Sequence, residues 1–149
     1  MHGIFRAMGY FYLLSVSAQA VANDFAISPD ISSNNFLTFK WSVSVDGGGA
    51  TGNPTLVVMT GQPYSFAITT SLVHPFWIDQ SPGIGGSPGT NPYPVGTALS
   101  ANGVTANTTI TMNLPADAPD TLYYACGSHS SMHGTITVVH DLVFRSNFE

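Results

Sequence analysis

The sequence predicts an all-β domain, a sandwich or a barrel. Short apolar runs alternate with a period of two, no segment carries the apolar stripe of an amphipathic helix, and the connections are rich in glycine and proline. At 149 residues with 15 Gly and 10 Pro, the chain fits one domain that can bury a core without disulfide staples.

The N-terminus comes first. Residues 1–22 carry Arg6, an apolar run over 10–16 and two overlapping small-x-small sites ending at Ala20 and Ala22. This is the pattern of a secretory signal peptide, with cleavage at either alanine, and its apolar part is short for a membrane span. An uncleaved anchor is the alternative, and either places the folded domain outside the cytoplasm, periplasmic or secreted. Residues 23–38 are polar with Pro29 and are expected to form an extended leader. Residues 39–45 alternate and form a first strand, and the Gly-rich stretch 46–54 is a loop. Strands follow at 55–59 and 64–69, joined around Gly61 and Pro63. The next, 75–79, puts His74, Phe76 and Ile78 on one face and Trp77 on the other. Pro and Gly forbid a regular helix over 80–96, a length that suggests a functional segment or a packed Ω-loop. A β-branched strand spans 106–113, a turn 115–120, and two last strands 122–126 and 135–139. The domain is expected over 39–139, with a tail at 140–149.

Between the last two strands lies the chemistry. Leu-Tyr-Tyr-Ala-Cys126-Gly-Ser-His129-Ser-Ser-Met132 holds the chain's one cysteine, an imidazole and a thioether within seven residues. Thiolate and thioether are soft ligands, imidazole suits copper, and two His plus one Cys with a long axial Met form the donor set of an electron-transfer copper. A second histidine is needed, and His74 is the best candidate. Period two turns Leu122, Tyr124 and Cys126 to one face, so the thiol points with the core.

The spacing Cys126-x2-His129-x2-Met132, followed by Gly134 and a β-branched strand, resembles the copper loop of the cupredoxins, the small blue copper proteins. The short gap before Met132 is similar to amicyanin, whereas plastocyanin-type members have a longer one. His74-Pro-Phe-Trp-Ile matches the placement of the family's upstream histidine, at the start of a strand. The resemblance implies a Greek-key β-sandwich holding one mononuclear copper, with His74, Cys126 and His129 in a plane and Met132 at axial range. It also implies a monomeric, non-enzymatic carrier of single electrons, exchanging them with a protein redox partner through His129. The long Gly/Pro-rich stretch departs from the family pattern.

Composition agrees. With Arg6 inside the expected signal peptide, Lys40 and Arg145 remain against eight carboxylates, so no basic patch exists for nucleic acid. A charged fraction of 7%, against roughly 25% for ordinary proteins, argues for apolar rather than steered docking. An unpaired cysteine in an oxidising compartment is buried, catalytic, bonded to another chain or metal-bound. A buried structural cysteine is the plain alternative, and the neighbouring His129 and Met132 favour metal.

Other candidates have simpler roles. His133 alternates away from Met132 and is expected to be exposed; His140 beside Asp141 is expected to be solvated, and His2 leaves with the signal peptide. Met59 and Met112 read as core fillers. Asn107-Thr-Thr matches a glycosylation sequon, relevant only in a host that uses it. One cysteine excludes a dinuclear electron-transfer centre, the length excludes multicopper oxidases, and methionine is a poor zinc ligand. Two further functions stay open: a periplasmic copper carrier or buffer on the same fold, and a metal-free cupredoxin-like interaction module, which expects His74 far from Cys126.

Overall fold

The computed structural model describes residues 23–82 and 91–141. The signal peptide expected over 1–22, most of the tail and the middle of the 80–96 stretch lie outside the described residues.

Among the described residues nine strands pack as two mixed sheets: β1 Asn23–Asp30, β2 Lys40–Val45, β3 Thr51–Gly52, β4 Leu56–Met59, β5 Pro63–Ile68, β6 Phe76–Asp79, β7 Thr108–Asn113, β8 Thr121–Cys126 and β9 His133–Val139. The five-stranded sheet runs β3-β2-β1-β5-β7 and the four-stranded sheet β4-β9-β8-β6. From β4 to β7 the chain changes sheet at every step, giving the crossing connections of a Greek-key sandwich. The parallel pairs β1 with β5 and β4 with β9 follow from those crossings.

Alternate residues of every long strand meet in the middle. Phe25 and Ile27, Trp41 and Val43, Phe66 and Ile68, and Ile110 and Met112 face Leu56 and Val58, Phe76 and Ile78, Leu122 and Tyr124, and Ile136 and Val138. Period-two burial of this kind is what the sequence alternation requires of a sandwich.

One expectation needs correction. Residues 23–30 are no leader: they form β1, a central strand of the larger sheet, with Phe25 and Ile27 buried. Pro29 does not prevent this. It stands opposite Trp41, whose N–H donates to the Asn53 side chain at 2.8 Å and whose carbonyl accepts from the Asn53 amide at 2.7 Å. Trp41 therefore turns its backbone polar groups away from β1, so proline's missing N–H removes no bond between these strands. The rest of the expected leader holds a short 3₁₀ turn, Phe36–Thr38, capped by Asn35.

The described ends of the 80–96 stretch pack against β6. Tyr93 N–H reaches the Ile78 carbonyl at 2.9 Å and Gln80 N–H reaches Asn91 at 2.9 Å. Asn102 completes the stitching, accepting from Ile78 N–H at 2.8 Å and donating to the carbonyls of Ile78 and Tyr93 at 2.7 and 2.9 Å. The edge of β6 is thus covered by its own chain, which removes a site for intermolecular strand pairing.

Candidate metal centre

Register brings the upstream histidine to the cysteine. Phe76 of β6 pairs with Cys126 at the end of β8, and the Gly127 amide extends that pairing to the Pro75 carbonyl at 2.9 Å. His74, two residues before Phe76, is thereby placed beside Cys126. A turn closed by His74 N–H to Ser71 O at 2.9 Å aims it inward.

The loop after Cys126 folds back on itself. Met132 N–H donates to the His129 carbonyl at 3.1 Å, and Cys126 N–H donates to the Met132 carbonyl at 2.8 Å. His129 is therefore turned toward the sulfur while Met132 enters β9 fully buried.

The ligand atoms of His74, Cys126 and His129 all lie within 4.8 Å of one another. Cys126 Sγ stands 4.0 Å from His74 Nδ1 and 3.6 Å from His129 Nδ1. Both rings thus present Nδ1, and a metal bound there selects the neutral tautomer with its proton on Nε2. Cys126 and His74 are buried, at 1% and 6% exposure, while His129 keeps a partly exposed edge. Phe39 packs against both imidazoles, with ring centroids 6.1 Å from His74 and 5.3 Å from His129.

Burial sets the protonation of the pocket. It pushes the Cys126 thiol up, partly offset by the backbone amides of Ser128 and His129. It also holds His74 below the ordinary histidine value, with neighbouring His129 adding to the shift. A neutral thiol and a neutral imidazole result, so a metal that takes the thiolate displaces a proton. The Ser128 amide lies 3.4 Å from the sulfur; Pro75, lacking an N–H, offers no donor beside His74.

A thiolate and two imidazoles in a dry pocket, with a buried methionine closing the loop, fit one mononuclear copper ion. Of the four expected ligands, three converge directly, and Met132 is buried at the end of the loop that holds the other two. His133 is exposed, with Nδ1 bonded to Ser130 O at 2.7 Å. His140 corrects its expectation: its side chain is 14% exposed, bonded to Asp120 at 2.8 Å and to the Ala116 carbonyl at 3.0 Å. The turn carrying Ala116 and Asp120 folds over it, a contact that composition near the chain end does not reveal.

Sequence reasoning missed two neighbours of the site. Phe39 read only as the start of a strand. Asn53 read only as a loop residue, yet its side-chain amide donates to the Ser131 carbonyl at 2.8 Å, 78 residues away. An asparagine before a proline signals a turn, but nothing in its spacing names so distant a partner.

No protein-family model and no curated protein matches the sequence. Among solved structures, rusticyanin from Thiobacillus ferrooxidans is similar at 24% identity and a TM-score of 0.47, covering 77% of this chain and 75% of that one. A histidine-to-methionine variant of rusticyanin matches at 21% identity and a TM-score of 0.49, over 77% and 76%. A variant of the multicopper oxidase McoA from the hyperthermophile Aquifex aeolicus matches at 14% identity and 0.44, over 79% of this chain and 27% of that one. At these identities the likeness concerns the fold alone, and the ligand assignment stands on the geometry of the cluster.

Proposed function

We propose that this chain is an exported type 1 copper protein that transfers single electrons between redox partners, with His74, Cys126, His129 and Met132 as ligands. The convergence of two imidazole Nδ1 atoms on one buried thiol, from segments 52 residues apart, carries the reading. When bound, copper supplies a one-electron couple whose potential the axial ligand and the surroundings of the sulfur tune.

The chain's own residues do the rest. The β6–β8 pairing and the folded-back loop fix the donors in advance, so a change of charge on the metal meets a frame that has little freedom to rearrange. Phe39 and the core exclude water from His74 and Cys126. The partly exposed edge of His129 offers the route to the surface. Exposed Ser128 and Ser130 flank it in the chain, and the segments joined to the ligands expose apolar side chains: Phe36 and Leu37 at 62%, Leu72 at 79% and Val73 at 61% exposure. Phe36 is tied to the loop through its carbonyl, which accepts from Ser131 Oγ at 3.2 Å, and Leu72 and Val73 directly precede His74. An uncharged rim suits brief contact with a partner's apolar face.

A carrier or buffer would use the same donors but exchange metal readily. The metal-free module expects His74 far from Cys126, and a separation of 4.0 Å weighs against it. The test is addition of Cu(II) to the purified domain, followed by its visible spectrum, with Cys126→Ser alongside. An intense thiolate-to-copper band, lost in the variant, is expected; a colourless parent protein would overturn the reading. Metal retained through cycles of reduction and reoxidation favours the electron carrier, and metal lost on reduction favours the buffer.

A further inference from the structure

Resting on the copper reading, we propose that Asn53, just after β3 and bonded to Trp41 of β2, is a positioning residue for the ligand loop that fixes the peptide leading into Met132. The Ser131 carbonyl belongs to the peptide unit whose N–H is that of Met132. That N–H is held by the His129 carbonyl at 3.1 Å, inside the loop, and the carbonyl is held by Asn53 Nδ2 at 2.8 Å, from outside it. Pinned at both ends, the plane of this peptide has one orientation, and the direction in which Met132 leaves the backbone follows from it.

The residue itself is well anchored. Asn53 has φ +48, and its own N–H donates to the Trp41 carbonyl at 2.7 Å while its Oδ1 accepts from Trp41 N–H at 2.8 Å. Trp41 is fully buried in the core, where its ring meets Phe76 at 5.2 Å between centroids. Motion of the loop relative to the core is therefore opposed through a single residue.

The chemistry selects asparagine. The position needs a side-chain acceptor for Trp41, a side-chain donor for Ser131 and tolerance of the left-handed region, and asparagine offers all three. Aspartate keeps the acceptor and the backbone tolerance but sets a carboxylate against the Ser131 carbonyl. Glycine keeps only the backbone tolerance.

Asn53→Asp and Asn53→Gly are therefore compared with the parent. In the metal-free proteins the rate of Cys126 alkylation reports opening of the loop, since the thiol is buried. Asn53→Asp is expected to react roughly 2- to 10-fold faster, the effect of losing one hydrogen bond, and Asn53→Gly, which loses the Trp41 N–H bond as well, at least as much faster. In the Cu(II) proteins the reduction potential and the rhombicity of the EPR spectrum are expected to shift while the thiolate band persists, a pattern that a general loss of stability does not produce. If Asn53→Gly does not fold, Asn53→Asp, which keeps the Trp41 bond, decides. An Asn53→Asp protein matching the parent in alkylation rate, potential and EPR spectrum overturns the assignment. A parent that binds no copper through Cys126 overturns the copper reading instead, and alkylation then still decides whether Asn53 holds the loop.

Discussion

Gly134→Ala tests how tightly the hairpin that carries the ligand loop is built. Gly134 lies in β9 opposite Tyr124 of β8, two residues beyond Met132 and facing the core. A Cβ there would overlap Oη and Cζ of Tyr124 and stand 2.5 Å from its Cε1. The ring cannot swing aside freely: it is fully buried, stacked on Phe76 at 6.2 Å, and its hydroxyl donates to the Pro54 carbonyl at 2.5 Å. Overpacking of a well-filled core costs about 1–3 kcal/mol, and displacing the hydroxyl from Pro54 adds about 1 kcal/mol. Replacing glycine within a strand returns about 0.5–1 kcal/mol of backbone entropy. The net is a loss of about 2 kcal/mol, or roughly 4–8 °C in Tm for a chain of this size. Thermal unfolding of the metal-free protein, followed by circular dichroism, measures it. Adding Tyr124→Phe should not restore stability, because the ring carbons still collide. A Gly134→Ala protein that melts within a degree of the parent, or one rescued by Tyr124→Phe, refutes the reasoning.

Asn102→Ala removes three bonds to Ile78 and Tyr93, at about 1 kcal/mol each, and should speed hydrogen exchange at the Ile78 amide well before global unfolding. Leu72→Asp, at a position 79% exposed, should leave stability within about 0.5 kcal/mol and the visible spectrum unchanged. It should slow electron self-exchange roughly fivefold or more, since two like charges then meet whenever two copies dock around His129. For acid, the sign follows from His74: its folded pKa is lowered by burial and by His129, so the unfolded chain binds the proton first. The metal-free protein should lose stability as pH falls through the ordinary histidine range and on down to the folded value. Urea midpoints against pH should show this loss reduced in His74→Gln.

Legibility tracked the range of the interactions. Burial of Leu122, Tyr124 and Cys126 on one face, and of His74, Phe76 and Ile78 on another, was readable because strand periodicity is local. The loop was readable because three donor types with known chemistry fall within seven residues. β1 was misjudged although Phe25 and Ile27 alternate, because Pro29 and the polar neighbours argue against a strand until the orientation of Trp41 is known. Asn53 and Phe39 stayed hidden for the same reason: their partners lie across the sandwich, and no pattern along the chain names them.

The burial of His74 bears most directly on what the pocket is for. A cysteine buried only for packing gains nothing from facing two imidazoles. His74 loses water, yet among the described residues its Nδ1 meets only the sulfur, at 4.0 Å, a long contact that replaces a water hydrogen bond poorly, and such a loss costs about 1–3 kcal/mol. His129, close behind with ring centroids 4.7 Å apart, adds electrostatic opposition to charging His74 in place of a partner. Meanwhile Phe39 packs against both rings, and the hydrogen bonds from Cys126 N–H to the Met132 carbonyl and from His74 N–H to the Ser71 carbonyl fix the segments that carry them. A fold that keeps these donors converged at such a cost has a pocket arranged for something that binds all of them at once, and a soft cation meets that requirement.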